Sequence, residues 1–497
     1  MAVRLFLAGL LIPFIEPLFK LAGGDDLGGA FWPSALRTLE WTFFLREYNT
    51  FIFGFFLILI PIVVSMQSSI TERGKQFCML LLGCLFGLLL IFFLLDMAYM
   101  RGAFILLPTI YGILIFTLCI CIGGKPTNPF AGSFKPASGV QIAGILFAVW
   151  LISPGLSSMA GIAPSPPELN LQTGQYSFDT TIHPYPMPQE VSSIQGDYES
   201  DIEFSVYLSM PVGEDEIPLA IIMHGFANPF FDTYYDWIEH LASRGIAVAF
   251  IQYPSDVRPE GHDTFILHEE AGMSNHPYHV PRALAMQSGL SHLEEILPNR
   301  VNTDHLLIGG HSLGAGYALM IMDWSLAKGW GNQSLIMALE APYARPVQDH
   351  LQIDTSGIPS EFIAQIAVSE DDMSVDDCFG VHHQVLLGEN SLMMEIPSDR
   401  HGFPRLVASH YIQATETHDT LADWGFYRRV VDQADWLNAQ HEDDEDAILD
   451  AEKRLTNPEL IGNMGEWSDG TPVKSMPTWD DAINSKEFEY CKTWTGS

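Results

Sequence analysis

Along the chain, hydrophobic and polar positions fall into two unlike patterns. Up to about residue 160 apolar residues run almost unbroken, and beyond it short apolar blocks alternate with polar and amphipathic ones. Residues 49–67, 77–100, 103–123 and 140–162 approach or exceed the roughly 20 apolar residues a helix needs to cross a bilayer. A weaker run, 5–21, carries Glu16, Lys20 and two prolines and offers a fifth span, an interfacial helix or the apolar part of a signal peptide. The pattern predicts an N-terminal α-helical transmembrane region of four or five spans over 1–162, an integral membrane protein held in the lipid bilayer. Asp96 lies near the end of its apolar run, where an acidic side chain reaches the interface more readily than it serves as an intramembrane relay.

Residues 163–188 are rich in Pro, Ser and Gly and read as a linker that leads into a first strand. The segments that follow alternate in type. Residues 202–210 have the period of two of a half-buried strand, whereas 219–223, 246–252, 305–309, 335–339 and 362–368 are short apolar blocks of the kind buried on both faces. Between them 234–244, 281–297 and 315–328 have helical spacing, and 391–396 offers a last strand. Buried strands alternating with amphipathic helices imply an α/β domain over 189–438, a mostly parallel sheet flanked by helices, with an acidic extension over 439–497.

Composition sharpens this division. The chain of 497 residues has a formal charge of −36, and residues 161–497 carry all of the excess, with 53 acidic against 15 basic side chains. Such a surface lacks the cations that phosphate contacts require, so nucleic acid is excluded as a partner. A hydrated acidic surface also gives a slight preference for the extracytoplasmic side. Of six cysteines only Cys378 and Cys491 lie in the acidic part, and their spacing neither fixes a pairing nor makes a metal site. The His-rich loop 253–281, with His262, His268, His276 and His279, matches no standard metal spacing either.

Chemistry concentrates at the C-terminal ends of the expected strands, where open α/β sheets place their ligands. Gly310-His311-Ser312-Leu313-Gly314 lies between a strand and a helix, the context in which a serine on a sharp turn becomes a nucleophile and Gly310 and Gly314 let backbones approach. His224-Gly225-Phe226 ends an earlier strand, so the amides of Phe226 and Leu313 are the candidate oxyanion donors. A carboxylate to orient a histidine is expected after 362–368, where Asp372 is preferred to Asp371. The histidine is open among His382, His383, His401, His410, His418 and His441, with His401 and His410 favoured if 391–396 is the last strand and His418 if 406–414 is.

These motifs, over about 170–475, resemble the α/β-hydrolase superfamily of serine esterases and lipases. GQYSFDTTIHPYP, DIEFSVYLSMP and PLAIIMHGF look like the branch that holds platelet-activating-factor acetylhydrolases, chlorophyllases, bacterial polyester hydrolases and dienelactone-hydrolase-like proteins. SDRHGFPRLVASHYIQA is similar to bacterial members whose histidine lies in the place of His410, which makes Ser312, Asp372 and His410 the implied triad. Ser369, where many relatives have Gly, and Ser409, where the bacterial proteins tend to carry an acid, depart from the pattern. The resemblance implies hydrolysis of a carboxylic ester, of a small molecule or a lipid, through an acyl-enzyme and without a cofactor or metal. An acyltransferase or peptidase with the same triad, or a non-catalytic membrane sensor with a hydrolase-like ligand-binding domain, are the alternatives.

Overall fold

The computed structural model describes residues 2–23, scattered positions within 71–90, and 164–494 apart from 193–202, 256–278, 344–352, 403–405, 414–419 and positions 214, 227, 373 and 400. The chain divides into two compact units. One comprises Met1–Pro166, Arg400–Leu406 and Trp467–Asp469, and the other Pro167–Asp399, Val407–Glu466 and Gly470–Ser497.

In the first unit the expected transmembrane region is corrected. Among the described residues no helix is long and apolar enough to cross a membrane. The run 5–21 is not one helix: α1 (Ala2–Leu11) and α2 (Ile15–Gly23) are separated by a 3-10 turn, Ile12–Phe14, with Pro13 in its first turn. Proline removes a backbone donor and crowds the preceding turn, so an apolar run need not be one helix. At about 1.5 Å per residue neither piece, of 10 and 9 residues, covers more than about half of a ~30 Å hydrocarbon layer. Apolar surface here is met by protein, since Leu82 and Phe86 are buried and the Phe6 and Phe86 rings lie 5.7 Å apart. The runs 49–67, 103–123 and 140–162, and positions 91–100, lie outside the described residues. The integral-membrane assignment, with its bilayer contact and its choice of side, is therefore withdrawn.

The second unit is built on a nine-stranded sheet in the order β1-β2-β4-β3-β5-β6-β7-β8-β9. The strands are β1 (Phe178–Pro184), β2 (Ser205–Pro211), β3 (Ile217–Met223), β4 (Ala247–Ile251), β5 (Val301–His311), β6 (Ser334–Glu340), β7 (Glu361–Ser369), β8 (Ser391–Ile396) and β9 (Thr478–Trp479). From β4 to β8 all neighbours are parallel, and β1, β2 and β9 add antiparallel edges. Every residue of β3, β4 and β6 is buried, which is why they read as apolar blocks, while β1 at the edge is largely exposed.

Helices cover both faces. α3 (Tyr235–Ala242) and α7 (Arg428–Glu442) pack on one, with Trp237 of α3 against the backbone of Gly309 and edge-on to Phe426 at 5.0 Å. α4 (His279–Ile296), α5 (Leu313–Ala327) and α6 (Cys378–Leu387) join Leu306 and Ile308 in the main core, on the side opposite Gly309 as the period of two demands. Because β4 lies on one side of β3 and β5 on the other, the chain reverses its winding direction at β3, and the C-terminal ends of β3 and β5 are the place where open α/β sheets hold their ligands. The alternative strand at 406–414 does not form; described positions between Leu406 and Gln413 are a single bridge residue and turns.

The described residues of 439–494, apart from Trp467–Asp469, belong to the same unit as the sheet. α7 runs through residue 439, α8 (Glu445–Thr456) packs along it, and β9 pairs with β8. A disulfide joins Cys378, which opens α6, to Cys491 across 113 residues, within a cluster that includes Val381, Met393 and Phe488. Among the described residues the one grouping with metal-ligand potential, Asp376 with these two cysteines, has both sulfurs consumed in that bond. A closed loop of this length restricts the unfolded chain strongly, so Cys491→Ser is expected to lower unfolding free energy by about 2–5 kcal/mol. Urea denaturation with and without a reductant checks it: the reductant should destabilise the wild type and leave the variant unchanged.

Candidate active site

Ser312 is the residue between β5 and α5. Its backbone sits at φ 55°, ψ −120°, a conformation costing an L-residue about 1–3 kcal/mol and kept only where the surroundings enforce it. Three backbone hydrogen bonds do so. The Ser312 N–H donates to the Glu340 carbonyl at 2.8 Å, and the Ser312 carbonyl accepts from Gly316 and Tyr343 at 3.0 Å each. Gly310 and Gly314 are dictated by space, since a Cβ at 310 would lie 2.5 Å from the Gly314 carbonyl carbon and one at 314 would lie 2.4 Å from the Met223 and His224 oxygens. That close approach brings the end of β3 to the serine turn.

Beneath the turn lies a buried ion pair. Arg429 Nη2 donates to Glu340 Oε2 at 2.8 Å and its Nε donates to the Gly425 carbonyl at 2.7 Å, which ties α7 to the end of β6. Burial pushes the Glu340 carboxyl up, against the opposing pull of Arg429. Removing the cation would strand a carboxylate in the core, so Arg429→Met is expected to cost about 3–5 kcal/mol. In denaturant titrations the double variant Glu340→Leu/Arg429→Met should recover most of that loss.

The loop after β3 is held on both sides. The Tyr253 N–H donates to His224 Nε2 at 3.0 Å, so the ring hydrogen is on Nδ1, which donates to the Gly225 carbonyl at 2.7 Å. Burial lowers the His224 imidazole to about 4 and keeps it neutral. In a trans peptide the carbonyl and the next N–H point in opposite directions, so fixing the Gly225 carbonyl turns the Phe226 N–H to the other side of the loop. The Gly225 N–H donates to Tyr234 Oη at 2.8 Å, and a Cβ on Gly225 would lie 3.2 Å from the Ser312 Cβ. Leu313, first residue of α5, has an amide with no helical acceptor. The site therefore offers amides at the two positions named from sequence, at a helix N-terminus that favours negative charge.

Asp372 follows β7 and His410 lies on the segment after β8. Nδ1 of His410 donates to Asp372 Oδ2 at 2.7 Å, with 8% and 3% of the two side chains exposed. Asp372 Oδ1 accepts the N–H groups of Ser374 at 2.7 Å and Val375 at 3.1 Å. Burial alone would raise the Asp372 carboxyl; the His410 charge and hydrogen bond and the two amides outweigh it and hold the group below its usual range. An ionised Asp372 fixes the His410 proton on Nδ1 and leaves Nε2 as the basic nitrogen.

The other candidates are placed elsewhere. Asp371 accepts a hydrogen bond from the Ser398 hydroxyl at 2.6 Å, and its amide donates to the Ala408 carbonyl at 2.9 Å, so it braces the segment before His410. His401 belongs to the other unit, where Nε2 meets Asp469 at 2.8 Å. His418 lies outside the described residues, as do His262, His268 and His276. His383 Nδ1 donates to the Phe379 carbonyl inside α6, and His441 pairs with the Glu216 carbonyl. Of the aromatic residues after the loop, Phe231 stacks on Tyr207 at 4.9 Å, Phe230 is half exposed, and the buried Arg282 lies over the Phe226 ring at 5.7 Å.

The sequence offers Tyr234, with Phe230 and Phe231, only as a pocket wall, and its patterns do not single out the side chains of His311 or His224. Position 311 is the variable residue of the serine motif, and only the hydrogen bonds reveal a role. No known protein-family model matches this chain, and no curated protein matches it, so the functional reading rests on the geometry of these residues.

Proposed function

We propose that this protein is a serine hydrolase that cleaves a carboxylic ester through an acyl-enzyme, on a domain of the α/β-hydrolase kind. The observation that carries the reading is the buried Asp372–His410 pair at the same sheet end as a serine held at positive φ. The chain order Ser312, Asp372, His410, the strand–turn–helix context of Ser312 and the loop after β3 support it, since these are the features that define a nucleophile elbow and its oxyanion partner. The parallel strands between antiparallel edges are compatible with it.

In this reading His410 Nε2 takes the Ser312 hydroxyl proton as Oγ attacks the acyl carbonyl. The carbonyl oxygen becomes an oxyanion held by the Phe226 and Leu313 amides. Collapse of that intermediate breaks the ester C–O bond, and the proton on Nε2 goes to the departing alcohol. Water, deprotonated by the same nitrogen, then attacks the acyl-Ser312 carbonyl and regenerates the hydroxyl. Asp372 stays ionised throughout, as its hydrogen bonds from His410 and from the Ser374 and Val375 amides favour against the cost of burial, and stabilises the imidazolium in both halves.

The test is an ester panel on the full chain with product analysis in the presence and absence of an acceptor alcohol. Free acid as the product under both conditions supports hydrolysis. A transferred acyl group would change the reading to an acyltransferase with the same residues, and turnover of peptides with none of esters would change it to a peptidase.

A further inference from the structure

His311 is the last residue of β5, is 3% exposed, and is used by neither the nucleophilic nor the acid–base steps above. Its Nε2 lies 2.8 Å from the main-chain carbonyl of His410, and the two imidazoles are 4.9 Å apart. A carbonyl only accepts, so Nε2 carries the hydrogen and Nδ1 is an acceptor. Tyr234 Oη lies 3.4 Å from that Nδ1, and the same oxygen receives the Gly225 N–H at 2.8 Å. Directions are consistent along the string: Gly225 N–H to Tyr234 Oη, Tyr234 O–H to His311 Nδ1, His311 Nε2–H to the His410 carbonyl. Tyr234 is 1% exposed, and burial pulls the His311 imidazole down to about 3, so the ring is neutral and its single tautomer persists at ordinary pH.

We propose that His311 and Tyr234 are positioning residues that fasten the loop carrying Phe226 and the loop carrying His410 to the serine turn as one unit. This rests on the hydrolase reading only for its catalytic consequence. His410 sits in a turn rather than a strand, and its described anchors are the Asp372 carboxylate on the side chain and the His311 hydrogen bond on the main chain. Losing the second lets the imidazole move while Asp372 still holds it, and displacements of about 1 Å at a catalytic group cost on the order of 10²-fold.

The experiment uses the full chain. For His311→Leu, kcat on p-nitrophenyl acetate and the rate of fluorophosphonate labelling should both fall about 10- to 100-fold with KM changed less than about threefold. His311→Gln, whose side-chain N–H can reach the same carbonyl, should recover most of the loss. Tyr234→Phe should have a smaller effect that is not additive with His311→Leu. Hydrogen exchange supplies a readout independent of turnover: amides of the described segment 407–413 and of Gly225 should lose protection in His311→Leu. Equal slowing in His311→Leu and His311→Gln, or unchanged exchange at both loops, overturns the proposal. Altered exchange in a protein whose wild type neither turns over nor labels supports the positioning role and overturns the hydrolase reading instead. Should His311→Leu fail to fold, Tyr234→Phe, which keeps the ring and removes only the hydroxyl, carries the same two exchange outcomes.

Discussion

Ser312→Ala is expected to lower ester turnover by about 10⁴- to 10⁶-fold while leaving the fold intact. The size follows from the role: Oγ is the attacking atom, and no neighbouring group replaces it. The residual rate comes from the oxyanion amides and from substrate binding, which the variant keeps. Fold retention follows from the geometry, because the three hydrogen bonds that hold residue 312 at positive φ are main-chain bonds, and alanine keeps the Cβ that meets Gly225. Melting temperature should therefore shift by no more than a few degrees. Steady-state assays of both proteins, with matched circular dichroism spectra, check the expectation. Turnover within tenfold of wild type in the folded variant would remove Ser312 from the chemistry.

Asp372→Asn should cost about 10⁴-fold in kcat at neutral pH with little change in KM. Asparagine preserves Oδ1, the acceptor for the Ser374 and Val375 amides, and so preserves the local loop. At Oδ2 it places an N–H against His410 Nδ1, which reverses the tautomer and puts the ring hydrogen on Nε2, where the base is needed. The same substitution has a pH signature. A carboxyl whose folded titration is lowered contributes stability that is present above its unfolded value, about 3.9, and is lost as pH falls through the folded value. Between pH 7 and strong acid the wild type should therefore lose stability that Asp372→Asn never had, so the two melting curves should converge as pH falls below about 4. Parallel curves over that range would show that Asp372 is not held below its usual titration.

How much of this was readable in advance depended on the kind of signal. Strands buried on both faces, such as the apolar blocks within β3, β4 and β6, are visible because nothing on them faces water. Their ends shift by a residue or more, as for Val301–His311 against 305–309, because termini are set by partners in the sheet. The serine turn was legible because spacing and context coincide. The histidine was not legible from pattern alone: His401, His410 and His418 lie within 18 residues on a segment without periodicity, and the tie to Asp372 is made in space. The pairing of Cys378 with Cys491 was silent for the same reason. Within the N-terminal expectation the run 5–21 failed on a specific point, since hydropathy counts apolar residues but does not see that Pro13 divides that run into two short helices. His311 was hidden because its identity is unconstrained by the motif that contains it.

Whether Ser312 is an activated nucleophile is read out by site mapping of a fluorophosphonate adduct on the folded full chain by peptide mass spectrometry. One adduct per protein is expected, on Ser312, lost in Ser312→Ala and formed far more slowly in Asp372→Asn; a folded wild type that acquires no adduct, or acquires it on another residue, would remove Ser312 from that role.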